Sequence, residues 1–528
     1  METLRFDIQA RDFTGAGAAS RALKQHLKRI GAESETVRRA VIAAYEAEMN
    51  VVIHAAQGGV LEAAVDEGQL DVSVSDGGPG IPDIEAAMRE GFSTAPPEAR
   101  ALGFGAGLGL PNIRRNSDRL RVTSEVGKGT TVSFTILLRA ERGARDERPT
   151  SLVARAALCR DCRRCVLACP TGAVRVRDGA PTVLGHLCVD CAACIAACTP
   201  RALTVAGSAS PPSLDGATVV VPPGVLVDYY PFGGPGAALA ALRALGAVDV
   251  VVTHGYEAAL RAAVSERAAA PVGPSPVVSP VCPGVVALIE LRFPALLPHL
   301  APLASPLEAA QLDLADADAV FVVSCPGQRS ALLAQRPTAQ GAITTPGALR
   351  KLLAPLVAAG QGPPAPAPSG SRPTDEDDVL VVTGAGRVVA VLDQLENGLL
   401  TDVPVVEPYL CDGGCLGSPL LQNEPSLSAW RWAAADVAAG GRAHERRLAY
   451  QPRPGIRLDP DMATAIRKLT ELERVADGLP GKDCAVCGAP TCAAFAEDVI
   501  TGRAARDLCP YAAQASQSGA RPDEERVR

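Results

Sequence analysis

The sequence predicts a multidomain chain that mixes α/β and α+β modules. Three observations predict it. The chain has 528 residues, which at roughly 100–200 residues per domain gives about three to five domains. Short apolar strand candidates alternate with helical periodicity on both sides of a short Cys-rich stretch at 159–203. Sixteen Cys fall as eight, then four, then four, with none left over.

Hydrophobic residues make up 47% of the chain and aromatics only 3%, so the cores must be built from Ala, Val and Leu. A net charge of −7 and a pI near 5.6 give no basic stripe for a nucleic acid. The N-terminus lacks the basic-then-apolar pattern of a signal peptide. The most apolar runs, such as 217–227, are too short or too Pro-interrupted to span a bilayer. A cytoplasmic protein with no membrane partner is expected. In that compartment grouped Cys bind metal more often than they pair.

In chain order, residues 4–9 read as a strand, 16–30 and 35–55 as helices, and 60–64 and 70–75 as strands. Residues 120–124 and 130–138 would close a hairpin around Gly127-Lys128-Gly129, and the charged stretch 139–148 would be a linker. From Gly216 the α/β pattern returns, with buried strands expected at 219–221, 248–252, 319–323 and 379–382. Residues 360–378 are rich in Pro, Gly and acids and read as a disordered insert. Residues 462–476 look helical, and 515–528 form a polar tail. The expected domains are 1–142, 151–208, 214–440 and 460–514.

The Cys-rich stretch repeats one motif. Cys159, Cys162, Cys165 and Cys169-Pro170 are followed by Cys188, Cys191, Cys194 and Cys198-Thr199-Pro200. Such tight spacing curls the backbone around one cube, and the fourth Cys of each run reaches the other cube. One [4Fe–4S] cluster is thus assigned to Cys159, Cys162, Cys165 and Cys198, the other to Cys188, Cys191, Cys194 and Cys169. Zinc, the alternative, favours separated pairs. The segment resembles bacterial two-cluster ferredoxin domains over its full length.

Four isolated Cys follow, each beside Pro or Gly: Cys282-Pro283-Gly284, Cys325-Pro326-Gly327, and Cys411 with Cys415 in Cys411-Asp412-Gly413-Gly414-Cys415. With Glu290, Pro294, His299 and Ser305-Pro306, this region resembles the catalytic domain of iron-only hydrogenases. The resemblance implies a third [4Fe–4S] cluster on Cys282, Cys325, Cys411 and Cys415. It also marks departures. Val281 replaces the proton-delivering Cys of that family, and Gln328 and Ala331 replace its Lys and Glu. Val carries no protons, so a cube without the diiron unit, and no hydrogen turnover, is expected. At the C-terminus Cys484, Cys487, Cys492 and Cys509-Pro510 resemble a small four-Cys iron–sulfur domain, which implies a fourth cluster; zinc is the alternative.

The N-terminal region carries three elements in order. Glu46 and Asn50 share a helix face one turn apart, while Glu48 points elsewhere. Asp76-Gly77-Gly78-Pro79-Gly80 directly follows a strand. Gly103 to Gly109, including Gly105 and Gly107, precede a helix whose N-terminus suits phosphates. With Gly91-Phe92-Ser93-Thr94 and Gly127-Lys128-Gly129-Thr130-Thr131, residues 1–140 resemble the anti-sigma-factor and stressosome serine/threonine kinases of the GHKL ATPase superfamily. The resemblance implies Glu46 as general base, Asn50 on Mg²⁺, Asp76 on adenine with Thr130 or Thr131 nearby, and Gly105, Gly107 and Gly109 as the phosphate lid; Gly78 and Gly80 belong to the same ATP site. Residues 95–102 form an insertion before the lid, and His54 is expected to pack rather than to be phosphorylated.

The combined expectation is a GHKL α/β sandwich, a ferredoxin-like cluster domain, a hydrogenase-like α/β domain and a small C-terminal Fe–S domain. Together they would make a redox-responsive regulatory kinase using four [4Fe–4S] clusters, ATP and Mg²⁺. Its partner would bear a phosphorylatable Ser or Thr, or be a sigma factor, and related kinases often dimerise. The alternatives are an iron–sulfur oxidoreductase fed by a ferredoxin, and a module that sequesters its partner without phosphorylating it.

Overall fold

The computed structural model describes residues 2–13, 15–66, 68–96, 107–138, 150–207, 212–270, 273–359, 378–400, 402–422, 424–433, 440–453, 455, 458–459 and 461–512. The expected linker at 139–148, the insert (except residue 378) and the polar tail lie outside these residues. The chain divides into two compact units, one of 1–146, 454–481 and 492–528, the other of 147–453 and 482–491. Among the described residues no helix is long and apolar enough to cross a membrane.

The first unit is built on a five-stranded antiparallel sheet of β1 (Glu2–Ile8), β2 (Gly59–Val65), β3 (Gln69–Asp76), β4 (Arg119–Glu125) and β5 (Gly129–Leu137), in the order β1-β2-β3-β5-β4. Period-two patterning sets its faces. Leu70, Val72 and Val74 of β3 are buried, and Asp71 and Ser73 between them bond across to Thr135 and Ser133 of β5. Helices α1 (Ala18–Arg29) and α2 (Ser34–His54) supply the apolar partners, with Leu23, Leu27 and Ile30 fully buried. Two short helices follow, α3 (Ile84–Ala87) and α4 (Gly109–Asn116). The helices Met462–Asp477 and Cys492–Ile500 belong to this unit too. Leu458 donates its N–H to the Arg29 carbonyl at 3.3 Å, and the Arg29 guanidinium lies 3.5 Å from the buried carboxylate of Glu497. The C-terminal segment therefore packs where α1 ends.

The second unit begins with two small antiparallel pairs, Leu152–Ala154 with Leu203–Val205 and Val174–Arg177 with Ala180–Val183. A four-stranded parallel sheet follows, ordered Asp249–Val252, Thr218–Val221, Ala319–Val322, Ile343–Thr344. Val219, Val220 and Val221 have no exposed surface, as expected of a parallel strand covered on both faces. A second parallel sheet places Val405–Tyr409 between Val277–Val278 and Val379–Thr383. Sequence patterning did not predict Val405–Tyr409, because its Glu and Pro break the apolar run. Pro408 is tolerated because Val277–Val278 pairs only with Val405 and Val406, leaving one side of the strand open at Pro408.

Candidate functional site

The nucleotide elements assemble around α2. Glu46 and Asn50 sit one turn apart on it, and the Asn112 side chain of α4 donates to Glu46 Oε1 at 2.7 Å. Gly109, the first residue of α4, lies so close to Asn50 that a Cβ would stand 2.9 Å from Oδ1. Asp76 ends β3, accepts the Gly78 N–H at 2.7 Å, and faces Thr130 across the β3–β5 ladder. Thr130 Oγ1 lies 2.9 Å from Ser124 Oγ. Gly80 takes the left-handed φ of +74°, where a Cβ would strike the Glu125 carbonyl at 2.4 Å. His54 is half-buried; burial lowers its pKa, and the Asp76 charge partly opposes that shift. Gly107 is described, whereas Gly105 and the insertion from residue 97 lie outside the described residues.

Two residues of this site escaped sequence reasoning. Asn112 lies well after the lid glycines, and nothing in its spacing to Glu46 signals the contact. Glu48 indeed leaves the Glu46 face, but it is not idle. It is buried at α1's N-terminus, taking the N–H groups of Gly17, Ala19 and Ser20 at 3.0–3.3 Å. A carboxylate is favoured there by the helix dipole and the unsatisfied N–H groups.

None of the sixteen Cys is in a disulfide. Cys165 is pushed up to about 11 by burial, then by the neighbouring charges of Cys198, Cys159 and Cys162. Burial raises Cys191 to about 12, with Cys169 among its charged neighbours. Cys194 is raised by burial and by Cys191 and Cys169. The structure thus gathers each fourth Cys with the other run. Left-handed residues at Asp161, Arg163, Asp190 and Ala192 turn the loops inward. Backbone N–H groups point at sulfur, from Ala173 to Cys169 at 3.2 Å and from Ala202 to Cys198 at 3.1 Å. Thiols crowded in this way cannot all ionise unless a cation joins them, which suits iron–sulfur ligation. Among the described residues no group of His, Cys, Asp or Glu has single-ion spacing.

Cys282, Cys325, Cys411 and Cys415 also converge. Cys325 is raised to about 12 by burial and by Cys282. Cys411 is raised by burial, then by Cys325, Cys282 and Cys191. Ser330, in the helix after Cys325, donates its hydroxyl to Asp190 at 2.7 Å, which places the ferredoxin-like run beside this set. The Cys484–Gly488 loop docks on the Val174–Arg177 strand, where Val176 donates to the Gly488 carbonyl at 3.1 Å. Of the C-terminal four, Cys484 and Cys487 belong to the second unit, Cys492 and Cys509 to the first.

A diiron unit does not fit beside Cys415. Gln328 folds back, its side-chain oxygen accepting from Ser324 N–H at 2.7 Å and Oγ at 3.0 Å. Val281 is buried and apolar. The adjoining cavity of ≈ 210 Å³ is lined by Glu257 and by Glu407, which holds the Arg261 guanidinium, so the wall's one cation is already paired rather than turned to an anionic metal unit.

These features define a histidine kinase-like ATPase joined to iron–sulfur modules. Residues 11–136 match the family profile of the histidine kinase-like ATPase domain and 158–203 that of the 4Fe-4S dicluster domain. Residues 229–314 match the C-terminal domain of the large chain of iron-only hydrogenases, and 479–511 match an Fe–S cluster domain. The serine/threonine-protein kinase RsbT of Bacillus subtilis is 33% identical over 125 residues, covering 23% of this chain and 88% of RsbT. Through that region the chain belongs to the RsbT family of serine/threonine-protein kinases. The anti-sigma F factor of Geobacillus stearothermophilus is 34% identical over 99 residues, 19% of this chain and 60% of that protein. The large subunit of the corrinoid/iron–sulfur protein of Moorella thermoacetica is 47% identical over 49 residues, 9% of this chain and 11% of that protein. Among solved structures, the apo [FeFe]-hydrogenase of Chlamydomonas reinhardtii is 17% identical with a TM-score of 0.32, covering 50% of this chain and 92% of that one.

Proposed function

We propose that the chain is a redox-responsive regulatory kinase that transfers the γ-phosphoryl group of ATP to a Ser or Thr of an antagonist-type protein, and that its Fe–S half sets the rate. Glu46 takes the proton of the attacking hydroxyl, whose oxygen bonds to the γ-phosphorus as the bond to ADP breaks. Asn50 would hold Mg²⁺, which when bound neutralises phosphate charge. Asp76 would take the adenine amino group, and the lid glycines expose N–H groups to the phosphates. The sixteen Cys would hold four cubes in the sets given above.

One chain of contacts carries the reading. The helix opened by Cys492 presents Glu497 to Arg29 at the end of α1. The start of α1 is held by Glu48 of α2, the helix that carries Glu46 and Asn50. A coupling of only about 1–3 kcal/mol through such a path would make a usable switch. Phosphoryl transfer to an antagonist-type partner, measured on oxidised and on dithionite-reduced protein, is expected to differ by roughly fivefold or more; equal rates remove the redox claim. If partner binding survives in Glu46→Gln while the wild type yields no phosphorylated partner, the chain sequesters instead.

A second reading, electron transfer from a ferredoxin, is favoured by one observation, the packing of the ferredoxin-like run on the helix after Cys325, where Ser330 donates to Asp190 at 2.7 Å. Hydrogen evolution after supply of the diiron unit would support it.

A further inference from the structure

The cavity beside Cys415 lacks the groups a diiron unit needs, yet its wall is polar and ordered. Glu407 is already satisfied. Arg261 grips it with Nε at 2.9 Å and Nη2 at 2.5 Å, and the Tyr409 hydroxyl donates to it at 2.8 Å. The arginine charge is thereby spent on its own carboxylate. Glu257 is different. Its Oε1 accepts the Thr253 hydroxyl at 3.1 Å, and its carboxyl group opens on the cavity. Burial, with the Glu407 charge adding to it, pushes Glu257 up to about 7, so near neutral pH this carboxyl is only partly ionised and takes its full charge when a cation joins it. The neighbouring thiol set, once it carries a cube, adds more of the same sign. An anion entering here would meet Glu257 and the sulfur of Cys415 with no unspent positive charge to answer it. Beside these the wall carries the polar Thr253, Ser305, Gln328 and Thr383 and the aliphatic Val281, Leu307, Val381 and Leu416. The ≈ 210 Å³ of space equals the liquid volume of about seven waters. A pocket that sets aliphatic side chains beside a few convergent polar groups is a usual form of a small-molecule site.

We propose that this cavity binds a small organic ammonium ion, with its cationic head on Glu257 and its short carbon body against Val281, Leu307 and Val381. The polar wall, with Glu257, Arg261, Glu407 and Tyr409 in it, stands beside Cys415, so the fold has exchanged a metal site for a ligand site. The site is built from the other compact unit than the nucleotide pocket and stands whether or not the chain phosphorylates a partner.

The test is calorimetric titration of the cluster-loaded full chain, kept anaerobic, with propylammonium chloride. Sodium propionate serves as the anion of similar size and sodium chloride as the salt control. Saturable binding of one propylammonium per chain, with none for propionate, is the expected result. Glu257→Gln should weaken it at least tenfold. Val381→Phe fills the cavity from the strand beside Glu407 while leaving Glu257 in place and should abolish it, with iron content per chain matching wild type in both variants. Equal binding of the two ions, undiminished binding in either variant, or no saturable heat up to about 50 mM overturns the proposal. If neither variant holds its iron, the contrast between propylammonium and propionate on wild type decides alone.

Discussion

At Asn112 one amide decides how the proposed base is presented. A carboxylate held by a 2.7 Å donor keeps one orientation, and a general base works only within hydrogen-bond reach of the proton it takes. Asn112→Ala is expected to lower kcat for phosphoryl transfer about tenfold while KM for ATP stays within about twofold, as for an interaction that matters mainly in the transition state. Asn112→Asp should fare worse, because two carboxylates then face each other. Steady-state kinetics on the two variants check both. His26 makes a second single-residue case. Burial, with the Arg29 charge second, depresses its pKa from 6.5 to about 4. Below about pH 6.5 the unfolded chain binds a proton at His26, while the folded chain does not until about pH 4. Stability therefore falls with falling pH across that window, by up to roughly 3 kcal/mol. Denaturant unfolding at pH 7 and pH 4.5 should show the loss, and His26→Leu should flatten it.

Among the elements, α1 shows how one side chain joins two helices. Its N-cap position is Gly17 in a left-handed conformation, with no side-chain cap of its own. Glu48 supplies the missing acceptor from α2, where period-3.6 reasoning recorded only that it left the Glu46 face. Glu48→Ala is expected to cost about 2–3 kcal/mol, the worth of charged hydrogen bonds to a helix start. Glu48→Gln, which keeps one acceptor oxygen, should cost less. Thermal unfolding of the two variants orders them. The other elements were legible to different degrees. The strands Thr218–Val221 and Ala319–Val322 announced themselves as unbroken Val-rich runs, because both faces are covered. The two-residue strands Val277–Val278 and Ile343–Thr344 did not, since pairing partners rather than local pattern define them.

On the scale of the whole molecule, four sets of thiols and one nucleotide pocket share a chain whose compact units do not follow sequence order. Residues 454–481 and 492–528 join the N-terminal unit, and 482–491 join the other. Anaerobically purified protein is expected to carry about sixteen irons with matching labile sulfide, four per cube. About eighteen would restore the diiron reading that Gln328, Val281 and Glu257 oppose, and a zinc-loaded preparation would end the cluster assignment. Iron and sulfide analysis with EPR reads all three outcomes.

The sequence alone determined the set of modules, an ATPase domain followed by iron–sulfur and hydrogenase-like domains. Cys spacing, the Glu46–Asn50 interval and the glycine runs are local, and local backbone geometry fixes which of those atoms can face one ligand. Only the tertiary structure decided who orients whom. Asn112 reaches Glu46 across 66 residues, Glu48 caps a helix 31 residues before it, Asp190 takes the Ser330 hydroxyl, and Glu257 and Glu407 meet in one cavity. Such contacts depend on how elements pack, and no periodicity within one element records its neighbour.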